Sequence, residues 1–142
     1  MSFHVLFRID GPLVPKGRPR FSKVGGFIKT YTDSKTMDYE AKVREAAQTA
    51  MGSSEPIETP VGAFVYFRVP VPQSYSKSRT KDCLDGFLKP SKRPDLDNLL
   101  KAVLDAMNGV VYKDDGQLVS LHCTKVYASE PGVDVLIREE LP

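Results

Sequence analysis

RPDLDNLLKAVLDAMNGVVYKDDGQLV, residues 93–119, is the stretch on which the reading of the chain turns. Leu96, Leu99, Leu100, Val103, Leu104 and Met107 recur at steps of three and four, the spacing that aligns one face of a 3.6-residue helix. Pro94-Asp95 opens this helix, and Gly109 closes it because glycine takes the turn past a helix end without a Cβ penalty. Five aspartates (Asp95, Asp97, Asp105, Asp114 and Asp115), two lysines and Arg93 are set into this apolar frame. A turn of about 100° per residue puts Asp97, Lys101 and Asp105 on one face, with Asp95 beside them at the helix start. Asp114 and Asp115 follow in the loop beyond the far end, and the strand after them is expected to bring both carboxylates back toward Asp95 and Asp97.

Carboxylates brought together repel one another and destabilise the fold unless a cation neutralises them. Mg²⁺ suits such a group: it prefers oxygen ligands, keeps several waters and is completed by substrate phosphate. One or two such ions can activate water for phosphodiester hydrolysis, with Lys101 adding positive charge at the phosphate. Each residue taken alone has an ordinary role. Asp95 is a good helix cap, and Asp97 favours the helix dipole. An Asp97–Lys101 pair contributes only about 0.3–0.5 kcal/mol, and Asp114-Asp115-Gly116 reads as a turn. The conjunction of DLDN, a lysine four residues after its second aspartate, and DDGQ is far more specific than any part.

Outward from this segment the chain reads as α+β. Residues 3–10 form a first apolar strand ended by Gly11-Pro12. Residues 15–29, PKGRPRFSKVGGFIK, carry Lys16, Arg18, Arg20, Lys23 and Lys29 without an acidic residue, and Gly25-Gly26 marks a hairpin turn. A helix capped by Asp33 or Ser34 runs to about Met51, with Met37, Ala41, Val43, Ala47 and Ala50 as its apolar positions. Residues 61–69 read as a strand stopped by Pro70 and Pro72. Residues 73–92 form a Lys-rich loop with a short helix near Lys77–Leu84. Strands at 117–127 and 133–138, joined by SEPG, are expected to pair as an antiparallel hairpin. The sum is one domain, residues 1–142, with a mixed or antiparallel sheet and two main helices packed on it.

Composition is that of an ordinary globular chain: 142 residues, 41% hydrophobic, 27% charged, net charge +2. Its charge distribution says more than its sum. Lys16, Arg18, Arg20, Lys23 and Lys29 form one basic group, and Lys77, Arg79, Lys81, Lys89, Lys92 and Arg93 another. Either is a plausible set of DNA-backbone contacts or a solvated loop. Phe21, Phe27, Tyr31 and Tyr75 are candidates for base stacking, although aromatics in hairpins more often belong to a core. Cys83 and Cys123 lie far apart without a CxxC, which argues against zinc and against a disulfide framework. His4 and His122 are isolated and do not read as catalytic bases. With no secretory leader and no apolar run of eighteen residues, a soluble cytoplasmic protein is expected.

The 93–119 segment resembles the signature RxDLDNLxKxxxDAL…DDxQV of the RusA-like Holliday junction resolvases of bacteria and their prophages. Pro15 to Arg20 with Tyr31-Thr32 resembles the subtype of Gram-positive phages. The resemblance implies a RusA-like fold and catalytic aspartates at Asp95, Asp97 and Asp115, with Asp114 beside the third and an essential lysine at Lys101. It also implies Mg²⁺ or Mn²⁺ as cofactor, and a homodimer that cuts four-way DNA junctions by paired symmetrical nicks. Residues 106–113 differ in length from some members, and the N-terminal third is the least alike. Two other readings remain open: a non-catalytic protein that binds branched DNA, and a metal-dependent nuclease of broader structural taste.

Overall fold

The computed structural model describes residues 3–17, 20–31 and 33–142, with the backbone alone for 20–24 and 27–31. The elements run β1 (His4–Asp10), β2 (Arg20–Val24), β3 (Phe27–Tyr31), α1 (Ser34–Met51), β4 (Val61–Pro70), α2 (Lys77–Leu84) and α3 (Leu96–Met107). A 3₁₀ turn at Asp115–Gln117 then leads into β5 (Leu118–Ala128) and β6 (Gly132–Glu139). Strands β2 and β3 form the expected hairpin around Gly25-Gly26, both glycines at positive φ. The other four build a mixed sheet in the order β1-β6-β4-β5, and α1 and α3 pack against it and each other in an α+β arrangement.

The core follows from strand alternation. Val5 and Phe7 on β1, Val133, Val135 and Ile137 on β6, and Val61, Ala63, Val65 and Phe67 on β4 are all buried. Successive strand residues point to opposite faces, so each set projects from one side of the sheet. Registers Val5–Ile137 and Ile137–Ala63, then Phe7–Val135 and Val135–Val65, line them up as rows. Leu99, Ala102, Val103, Ala106 and Met107 of α3 close over these rows and are fully buried.

Two details depart from expectation. Strands β5 and β6 do not pair as a hairpin: β4 lies between them, parallel to β5 and antiparallel to β6. The most apolar strands take the sheet centre. Strand β5, with Ser120, His122, Thr124 and Lys125, takes the edge, exposed or half-buried along its length, where polar side chains cost least. In α1 the buried positions are Thr36, Tyr39, Val43, Ala47 and Met51, while Met37 is 57% exposed. Both stripes share Val43 and Ala47, so spacing alone did not separate them. The decision goes to the bulk of Tyr39 and to Thr36, whose buried hydroxyl accepts a hydrogen bond from the Gly17 N–H at 3.1 Å.

Leu99 is fully buried at the centre of the α3 face. Leu99→Ala is expected to lower unfolding free energy by about 2–5 kcal/mol, measured by urea denaturation followed by circular dichroism.

Candidate active site

Helix α3 sets out the candidate residues. At its N-terminal end Asp95 occupies the cap position in extended conformation, φ −69° and ψ 137°, and its carbonyl accepts the Leu99 N–H at 3.1 Å. Its carboxylate makes no capping bond. Asp97 lies in the first turn, and both side chains are exposed. The segment that delivers them is held from the sheet: the Lys125 ammonium donates to the carbonyls of Lys92 at 2.8 Å and Pro94 at 3.0 Å. The Arg93–Pro94 peptide bond in this segment is cis.

Midway along α3, Lys101 Nζ lies 3.5 Å from Asp105 Oδ2, so its helical partner is Asp105 four residues on. Asp105 also receives Lys16, whose Nζ lies 3.3 Å from Oδ2 and 2.6 Å from Glu40 Oε1. Partial burial works against the Lys16 charge, yet Glu40 and Asp105 outweigh it and hold the ammonium above the ordinary lysine range. The Lys16 N–H donates to the Asn98 carbonyl at 2.9 Å. Lys16 is therefore turned inward, tying the start of the basic segment to α1 and α3. Asp105, left without a role in the sequence, is the hinge of this cluster.

At the C-terminal end a dense set of bonds shapes the acidic loop. Asn108 caps α3 and accepts the Asp115 N–H on Oδ1 at 2.9 Å. Asp114 accepts the Gly116 N–H at 2.8 Å. The Gln117 amide oxygen accepts the N–H groups of Lys113 and Asp114, while its nitrogen donates to the carbonyls of Ile57 and Thr59. Buried Tyr112 donates to the Leu104 carbonyl at 2.7 Å. Burial, then the charges of Asp115, Asp105 and Asp114, pushes its hydroxyl far above the usual tyrosine range, so it stays a neutral donor. One Asp114 oxygen serves the turn; the Asp115 carboxylate, half-buried, makes no hydrogen bond among the described residues.

The two acidic groups thus flank opposite ends of a 12-residue helix, itself about 18 Å long at about 1.5 Å rise per residue. Strand β5 leads away from the acidic loop and does not carry Asp115 back to Asp95 and Asp97 within one chain. Among the described residues, no group of three or more carboxylate, imidazole or thiol side chains converges on a point. The donor chemistry at each end still suits a hard cation, since Mg²⁺ is commonly held by one or two carboxylates with waters and substrate phosphate completing the shell.

Of the basic residues, Lys92 and Arg93 are exposed immediately before Asp95. Arg18 and the side chains of Arg20, Lys23, Phe21, Phe27 and Tyr31 lie outside the described residues. Tyr75 carries the Arg79 guanidinium over its ring at 4.0 Å. Both cysteines are free, and burial pushes the Cys123 thiol up to about 11, away from nucleophilic use. Three residues of consequence escaped the sequence reading: Lys125, Asn108 and Gln117. The mark of Lys125, its register with buried Phe67 on β4, is visible only in the fold.

Fold and site together define an α+β domain whose central helix is flanked at both ends by acidic residues. The profile described as Endodeoxyribonuclease RusA matches residues 10–138, and the chain belongs to the RusA endodeoxyribonuclease family. It is also 38% identical over 138 residues to Uncharacterized protein YqaN of Bacillus subtilis (strain 168), covering 95% of this chain and 96% of that protein. No helix is long and apolar enough to cross a membrane among the described residues.

Lys125→Met removes both bonds that hold the segment ahead of Asp95. Amide hydrogen exchange at Leu99, whose N–H bonds the Asp95 carbonyl at the entry to α3, is expected to accelerate about tenfold while exchange in β4 and β6 stays unchanged, read by NMR.

Proposed function

We propose that this protein is a Mg²⁺-dependent endonuclease that resolves four-way DNA junctions by paired, symmetrical phosphodiester hydrolysis in the cytoplasm, as a homodimer, with Mn²⁺ able to substitute. One observation carries the reading. Around α3 the polar groups of the flanking loops are engaged, whereas the carboxylates of Asp95, Asp97 and Asp115 make no hydrogen bond among the described residues. Those are the carboxylates the family signature marks as catalytic. Without a hydrogen-bond partner among the described residues, Asp95 and Asp97 exposed and Asp115 half-buried, they are ready to take a cation without first giving up a protein partner.

Asp95 and Asp97, together with Asp115 and its neighbour Asp114, would hold the ion. Because the two pairs flank opposite ends of α3 in one chain, a two-fold axis setting two α3 helices antiparallel joins Asp95 and Asp97 of one protomer to Asp115 of its partner. Such an interface makes two equivalent sites, one for each strand to be cut. When bound, Mg²⁺ lowers the pKa of a coordinated water and offsets charge on the leaving oxygen. Lys101, 61% exposed and oriented by Asp105, faces the phosphate from the same side of α3. Lys92 and Arg93, with Arg18, Arg20 and Lys23 of the basic segment, contact the DNA backbone, and Lys16 ties the start of that segment to α1 and α3.

The test is incubation of purified protein with a labelled mobile four-way junction, a flap and a linear duplex of the same sequence, in Mg²⁺ and in EDTA. Symmetrical nicks in the junction alone, abolished by EDTA, are expected. Asp97→Asn should keep junction binding and lose nicking by at least about 100-fold. Binding that ignores both Mg²⁺ and Asp97, without nicks, would identify an inert branched-DNA binder. Equal cutting of flap and junction would identify a broader nuclease.

A further inference from the structure

A cavity of about 460 Å³ opens beside the N-terminal end of α3. Pro12, Leu13, Pro72, Pro90, Pro94 and Tyr127 contribute to its walls, and Lys92 and Arg93 are among the lining residues. Its volume falls within the roughly 300–1,000 Å³ of sites that enclose small ligands. Four separate stretches meet here, and each is fixed. The Gly11 N–H donates to the Pro131 carbonyl at 3.0 Å, and Arg68 donates to the carbonyls of Glu130 at 3.2 Å and Ile9 at 3.3 Å. Lys125 holds the Lys92–Pro94 stretch. Prolines lack an N–H and have a locked φ, so this wall is preformed, flat and poor in donors. No carboxylate lines the cavity among the described residues.

An apolar slot with a tyrosine ring in its wall, two cations at its edge and no acid matches a flat ring body attached to an anion. We propose that the cavity receives one unstacked nucleobase of the DNA substrate, with the flanking phosphate on Lys92 and Arg93. The inference rests on the functional reading above for the presence of DNA. Paired bases inside a duplex leave the stack at a cost of a few kcal/mol, and bases at a branch point leave more cheaply, so the cavity favours branched over linear substrate. Donor-poor walls read the ring faces and tolerate any base. Pro94, in the wall, directly precedes Asp95, so the captured nucleotide sets the adjacent backbone against the candidate metal ligands.

The test measures binding of wild-type protein in EDTA to a set of four-way junctions, each missing one base at the branch point or within an arm. Loss of a base at one branch-point position should weaken binding about tenfold, whereas losses in the arms should change it less than about twofold. Tyr127→Leu, which keeps apolar volume and removes the ring, should weaken binding to the intact junction about tenfold and add nothing when that base is already missing. Should Tyr127→Leu fail to fold, Leu13→Trp fills the cavity from another wall and carries the same expectation. Wild-type binding indifferent to every missing base, or losses that multiply between base and side chain, overturns the proposal. Wild-type nicking of the intact junction in Mg²⁺ then leaves the nuclease reading standing. Failure to bind branched DNA at all overturns both.

Discussion

Leu99, Ala102, Val103, Ala106 and Met107 lie fully buried along one face of α3, wedged between the sheet rows and α1. That burial fixes the helix axis, and a fixed 12-residue helix is a spacer of set length. It exposes DLDN at one end and leads into DDGQ at the other. Were α3 free to slide or tilt, neither acidic group would hold a defined position relative to the sheet or to a partner protomer. The placement of both acidic groups therefore depends on apolar packing in which no carboxylate takes part.

Each end of the spacer is then tied by a side chain with no part in the core. Lys125 reaches from β5 to two carbonyls ahead of Asp95, and Gln117 reaches from the start of β5 to the Ile57 and Thr59 carbonyls. Strand β5 thus braces the entry to α3, and the 3₁₀ turn ahead of it fixes the acidic loop, while the strand remains at the sheet edge. Lys16, between Glu40 and Asp105, ties the start of the basic segment to α1 and to the same helix. Hydrogen bonds to charged groups contribute roughly 1.5–3 kcal/mol each, enough to order loops that bury little apolar surface. What the ties leave unengaged are the carboxylates of Asp95, Asp97 and Asp115.

Local pattern made most of this legible. Helical spacing from Leu96 to Met107, the Gly25-Gly26 turn and the β-branched run at 61–69 correspond to real elements, because each is set by residues close in the chain. The pairing of β5 with β6 was not legible. Both strands and the turn between them are locally sound, but their neighbours are decided by β4, some sixty residues away, whose apolar alternation claims the sheet centre. The same division holds at the site. DLDN and DDGQ announce carboxylate chemistry by composition, whereas their separation by the length of α3 depends on the direction in which β5 leaves the loop. Lys125 and Gln117 look like surface residues of a strand until the parallel register with β4 is known.

The central claim is that the carboxylates at the two ends of α3 serve one centre only when two protomers combine. Subunit mixing tests it most directly. Asp97→Asn and Asp115→Asn proteins, each inactive alone, are unfolded together, refolded as mixed dimers and assayed on a four-way junction in Mg²⁺. A shared centre places both substitutions in one site of the mixed dimer and leaves the other intact, so nicking should return at about half of the wild-type sites in that dimer, as single rather than paired cuts. Mixed dimers that form but stay as inactive as their parents would contradict the claim and assign all three aspartates to a centre within one chain.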